Sequence, residues 1–185
     1  TQGIQGLVGP LASNNAHASA RAGTTANLTA TYTAGTLDQN GGYGIGAKLT
    51  STTNANLNLD GVSLVVNDRV LVKNQTTQTQ NGIYVVTDIG ANGGGGRPWI
   101  LTRASDYNDS VAGQVEYGDF LYVVSGTVNG ATNWIQNDYG SASGGYIIIG
   151  TDAINFAQTG GIGPQGTQGL QGATGAGTHR EHGDG

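Results

Sequence analysis

The sequence predicts an all-β protein: a compact antiparallel β domain, sandwich or barrel-like, held between two short collagen-like triple-helical tracts in a homotrimer. Three observations lead there. Short runs rich in Val, Ile, Tyr and Thr recur through the middle of the chain between Gly, Asn and Asp turns. No stretch shows the apolar spacing of an amphipathic helix. Glycine returns at every third position at both ends.

The elements follow in chain order. TQGIQGLVG places Gly3, Gly6 and Gly9 three apart, which makes 1–9 a collagen-like tract. Residues 10–19 read as a connector. Within Ala12–Ala22 alanines alternate with Ser and Asn, and the stretch has no docking stripe, so a short ordered connector is expected, with room for one helical turn or more. The β domain spans 20–158. NLTATY and GIGAKLT alternate as strands, and LNLDG ends in an Asp-Gly turn signal. Asp68–Asn74 and Ile83–Thr87 pair as a hairpin. Val70 and Val72 lie on one face of it, Arg69, Leu71 and Lys73 on the other, and the link QTTQTQ forms a polar, solvent-facing tip. Asn81-Gly82 eases the chain into the second strand. Four consecutive glycines make ANGGGG a loop. Trp99–Arg103, Phe120–Val124, Asn133–Gln136 and Tyr146–Ile149 read as further strands.

A second glycine period occupies 159–177, with Gly160, Gly163, Gly166, Gly169, Gly172 and Gly175 in register. A triple helix needs glycine at each third place because only hydrogen fits where three chains crowd the axis. Read as a triple helix, the period counts chains as well as describing one; a flexible Gly-rich linker is the alternative. With Pro 3 in the whole chain, the tracts are weak alone, so the β domains are expected to do most of the trimerising. The polar tail 178–185 follows.

Composition narrows the function classes. Only 10% of residues are charged, so the polar surface is mostly uncharged Gly, Thr, Asn and Gln, which argues against charge-driven disorder. Net charge is -5 and the basic residues form no stripe, which argues against nucleic acid as a partner. Cys 0 removes disulfide and thiolate chemistry. No apolar run is long enough for membrane insertion. The absence of an initiating Met suggests a processed chain or a piece of a longer one.

Catalytic signals are weak. Asp106, Asp109, Glu116 and Asp119 read best as turn caps and as partners of Arg103 or Arg97. Paired carboxylates for glycoside cleavage and a calcium site are the alternatives. His179 and His182 in HREH lack the HExxH spacing and an apolar frame, so a solvated tail is preferred to a metal site. No catalytic residue, cofactor or metal is expected, and the chain is read as a non-enzyme. Trp99, Trp134, Tyr84, Tyr107, Tyr117 and Tyr122 suit packing better than sugar stacking. Tyr107, the least strand-like of them, is the best exposed candidate. With Arg97 and Asp106 it marks the candidate binding surface.

The stretch from Gly61 to Gln136 contains NDRVLVKNQTTQTQNGIYVVTDIG and PWILTRASDYNDSVAGQVEYGDFLYVVSGTVNGATNWIQ. It resembles a module recurring in tail fibre and related structural proteins of bacteriophages, including phages of cyanobacteria, often beside collagen-like repeats. The preceding NLTATY…GIGAKLT fits the same module. Asn67 stands where Gly-Asp-Arg is usual, and ANGGGG lengthens one loop. The resemblance implies an extracellular, trimeric component of a virion fibre, meeting other fibre or baseplate proteins, and carries no active site. A spacer or knob in host attachment is expected first. A glycan-binding adhesin, of a phage fibre or a cell-surface filament, is the alternative, and a glycoside hydrolase a remote one.

Overall fold

The computed structural model describes residues 16–161. The two glycine periods at 3–9 and 163–175, and the HREH tail, lie outside the described residues. In chain order the strands are β1 (Ala22–Gly23), β2 (Ala30–Thr33), β3 (Lys48–Ser51), β4 (Asn58–Leu59), β5 (Val62–Ser63) and β6 (Arg69–Val72). They continue as β7 (Gly82–Asp88), β8 (Ile100–Arg103), β9 (Phe120–Val123), β10 (Thr132–Gln136) and β11 (Phe156–Gly161). A 3₁₀ turn, Gln78–Gln80, is the helical element among the described residues.

The strands form a compact, mostly antiparallel β domain. One sheet is six-stranded in the order β1-β6-β7-β8-β3-β2; a second is three-stranded, β11-β10-β9; β4 and β5 make a small hairpin. The exception to antiparallel pairing between named strands is β1 with β6, where Ala22 faces Val70. The larger sheet is open, edged by β1 and β2, and is covered on both faces. On one side Val70, Val72, Tyr84, Val86 and Leu101 pack with Leu57, Leu59 and Leu64 from the β4–β5 region. On the other, Leu71 and Ile83 meet Leu121 and Val123 of β9, with Trp134 and Phe156 packed against them. Burying both faces is why RVLV is apolar at three successive positions rather than strictly alternating.

Residues 16–23 join the two sheets. Ala16 and Ala20 bridge Phe120 and Val123 in parallel, and two residues later Ala22 and Gly23 pair with β6. The stretch is extended and its core-facing residues, Ala20 and Ala22, are small, so it passes between layers without displacing either core. This corrects the expected connector with a possible helical turn: from Ala16 onward it is part of the domain.

The Asp60-Gly61 turn forms as expected, with φ of 52° and 78° at its two residues, the left-handed pair a two-residue hairpin requires. Asn67, the residue standing in place of glycine, also adopts a positive φ, 75°, which Asn tolerates better than most residues. The β6–β7 hairpin forms, but its link is not a purely solvent-facing tip. Gln75 is buried, its amide N–H donating to Asn81 Oδ1 and its Oε1 accepting from the Leu28 N–H at 2.7 Å.

Two further readings are corrected. Tyr146–Ile149 is irregular chain with one bridge, Tyr146 to Glu116, and its apolar character comes from Ile147 and Ile149 inserting into the core. At the C-terminal end the strand runs beyond Gln158. Gly160 pairs with Asn133, so this glycine, counted in the triple-helical period, is a strand residue, and β11 ends only at Gly161.

Candidate functional site

The three residues expected to share a surface do not. Tyr107 is fully buried, its ring edge-on to His17 at 5.0 Å between centroids and tilted against Phe156 at 6.2 Å. Polar neighbours in SDYNDS made it look like a loop residue, yet the loop folds inward and the aromatic ring fills the core between the sheets. Burial holds its hydroxyl well above the ordinary tyrosine range. Arg97 stays in the loop after β7, where its Nε contacts both carboxylate oxygens of Asp88 at 2.8 and 2.9 Å. That exposed pair closes the base of the glycine loop, where Ala91 and Arg97 bridge.

Asp106 belongs to a charged cluster around His17. Its carboxylate accepts two hydrogen bonds of 2.9 Å from the Arg69 guanidinium. His17 Nδ1 lies 3.6 Å from Asp106 and Nε2 lies 3.4 Å from Asp119. Burial by itself would lower the imidazole's pKa, but the two carboxylates outweigh it and raise it to about 9. His17 and then Arg69 hold the Asp106 carboxyl well below its ordinary range, whereas burial pushes that of Asp119 up. His17 is therefore a cation at neutral pH, tying the 16–23 stretch to the loops after β8 and before β9. Nothing in its sequence neighbourhood, NNAHASA, signals this role, because both carboxylates come from distant segments.

Asp109 and Asp119 cap turns, as expected. Asp109 Oδ1 accepts from the Val115 N–H, and Asp119 Oδ2 from the Glu116 N–H. Burial and the nearby Asp38 raise the Asp109 pKa to about 7. Asp38 itself gathers the N–H groups of Asn40, Gly42 and Gly44. Arg103 pairs with no carboxylate among the described residues. Fully enclosed, it donates to the Asn81 carbonyl and the Tyr84 hydroxyl and lies over the Tyr84 ring, 5.0 Å from its centroid. Burial opposes its charge, which the hydrogen bonds to Asn81 and Tyr84 and the face of the Tyr84 ring offset. Gly82 makes room for this guanidinium, since a Cβ there would run into Nη1.

Exposed aromatic surface lies elsewhere, on the three-stranded sheet. β9 alternates strictly: Leu121 and Val123 point into the core, while Phe120 and Tyr122 are 45% and 39% exposed on the opposite face. Val124 continues that exposed line. At the same end of the sheet as Phe120, Tyr117 and Tyr139 stack at 4.4 Å with rings 10° apart. A shallow cavity of about 330 Å³ also opens beside the β6–β7 link, lined by uncharged polar side chains including Asn27, Thr52, Thr76 and Gln80. It contains no aromatic platform, and Gln75 at its floor is already tied to Leu28. Among the described residues, no group of three or more His, Cys, Asp or Glu is placed to hold a metal ion, and no helix is long and apolar enough to cross a membrane. No family model, curated protein or solved structure matches the chain.

Proposed function

We propose that this chain is a structural segment of a trimeric fibre, a virion tail or capsid fibre by its resemblance, in which the β domain acts as a rigid spacer or knob in host attachment. The observation that carries the reading is the path of the chain through the three-stranded sheet. Ala16 lies beside Phe120, and the chain runs parallel to β9 toward Val123. β11 runs in that same direction, from Phe156 opposite Gln136 to Gly161 opposite Thr132. The chain thus comes in at one end of the sheet and leaves at the other, both passes pointing one way. A domain inserted in a rod needs this geometry, and in the sequence one glycine period precedes Ala16 and the other follows Gly161. Light scattering on the full chain tests the reading: a trimeric mass is expected, and a stable monomer overturns it.

A second reading, a glycan-binding adhesin, is favoured by the exposed Tyr117–Tyr139 stack, since paired aromatic faces suit the apolar face of a sugar ring. Binding to a host-glycan panel that Tyr139→Ala abolishes would move the domain from spacer to receptor-binding element.

A further inference from the structure

We infer that the outward face of the three-stranded sheet, centred on Phe120, Tyr122 and Ile135, is the surface on which two further copies of this chain pack around a three-fold axis. The inference rests on the trimeric reading above.

The register defines the face. Ala16, Phe120, Ile135 and Ala157 are cross-strand partners in one row, so four neighbouring passes of the chain present apolar side chains side by side. The next row pairs Tyr122 with Asn133, and Val124 extends the β9 line. No residue in these rows is charged. An open sheet face facing water usually carries charge at such positions, which keeps it from meeting other sheets.

The chain's continuation identifies the occupant. Only Ile162 separates the end of β11 from Gly163, where the uninterrupted glycine period starts. Two residues of extended chain reach about 7 Å. If that period winds with two partners, three β11 ends lie close beside one axis, and this sheet is the part of each domain nearest to it. A three-fold also disfavours the alternative of joining edges. An edge strand pairs with its own copy only about a two-fold, so a three-fold needs two different free edges in each chain. The edge opposite β11 is the 16–20 stretch, whose continuation at Ala22 and Gly23 is already bonded to β6. The face remains.

The chain lacks cysteine, which allows a direct test on the full-length protein. Tyr122→Cys and, as a control on the far edge of the large sheet, Thr33→Cys are treated with a short bis-maleimide and run on denaturing gels. Linked species are expected for Tyr122→Cys and only monomer for Thr33→Cys. In parallel, light scattering over a dilution series compares wild type, Phe120→Lys/Tyr122→Lys and Thr33→Lys. The double variant should dissociate at a concentration roughly tenfold or more higher than wild type, with Thr33→Lys unchanged. If wild type is a trimer that the double variant leaves intact and Tyr122→Cys does not link, the face is wrong while the fibre reading stands. If wild type is a monomer, both fail. Should the double variant misfold, the cysteine result decides alone.

Discussion

The His17 cluster allows a stability prediction with a defined pH window. Replacing His17 by Gln keeps a polar side chain between Asp106 and Asp119 and removes the charge. The imidazole's pKa rises from 6.5 to about 9 on folding. Because the folded value lies above the unfolded one, the charge stabilises fully below pH 6.5, and the contribution fades as pH rises through 9. The gap, at about 1.4 kcal/mol for each pH unit, corresponds to about 3 kcal/mol if fully expressed. Asp106 is 42% exposed, so solvent screening reduces this to about 1–2 kcal/mol. His17→Gln should therefore be destabilised by that amount at pH 6 and match wild type at pH 10. Urea unfolding at both pH values, at one protein concentration, reads the difference. Groups titrating in both proteins, Asp109 among them, cancel in the comparison. Proton NMR of the imidazole provides a direct check. A deficit equal at pH 6 and pH 10, or a His17 that titrates at or below 6.5, would refute the charged clamp and leave His17 as a packing residue.

Two other substitutions probe the buried polar framework. Asp109→Asn should stabilise the domain by about 2 kcal/mol at pH 8, because the folded pKa of about 7 lies above the ordinary 3.8, so the wild type loses stability as pH rises from about 4 and the loss is complete above about 7. Asn retains an acceptor for the Val115 N–H and suits the φ of 55°; the gain should vanish near pH 4 in urea unfolding curves. Gly82→Ala should cost about 3 kcal/mol or more in the same assay, since φ is 145° and the new methyl meets the enclosed Arg103 guanidinium. Gly46→Ala, also at positive φ but with nothing within 4 Å, should cost only about 1 kcal/mol. Equal losses at the two positions would remove Arg103 from the explanation.

Much of the fold was legible from local chemistry. The β6–β7 hairpin, the Asp60-Gly61 turn, the glycine loop and the strands at β8, β9 and β10 all follow from alternation and turn residues. Neighbours in sequence control those features. The candidate surface was not legible. Tyr107, Arg97 and Asp106 were grouped because they sit in polar loops, but a loop's polarity does not say whether its one aromatic residue turns in or out. Tyr107 turns in because His17 and Phe156, far away in sequence, complete its pocket. Partners were misassigned for the same reason. Asp106 meets Arg69, 37 residues back, rather than Arg103 or Arg97.

What the sequence determined by itself is the kind of material: a polar, cysteine-free β chain with a three-residue glycine period on either side of its strand-forming middle. What only the tertiary structure decided is which side of each strand is covered. FLYVV alternates whether Leu121 or Tyr122 faces inward, because a period of two defines two faces without choosing between them. The choice came from the opposing layer. Leu71 and Ile83 of the larger sheet cover Leu121 and Val123, leaving Phe120 and Tyr122 on the outside.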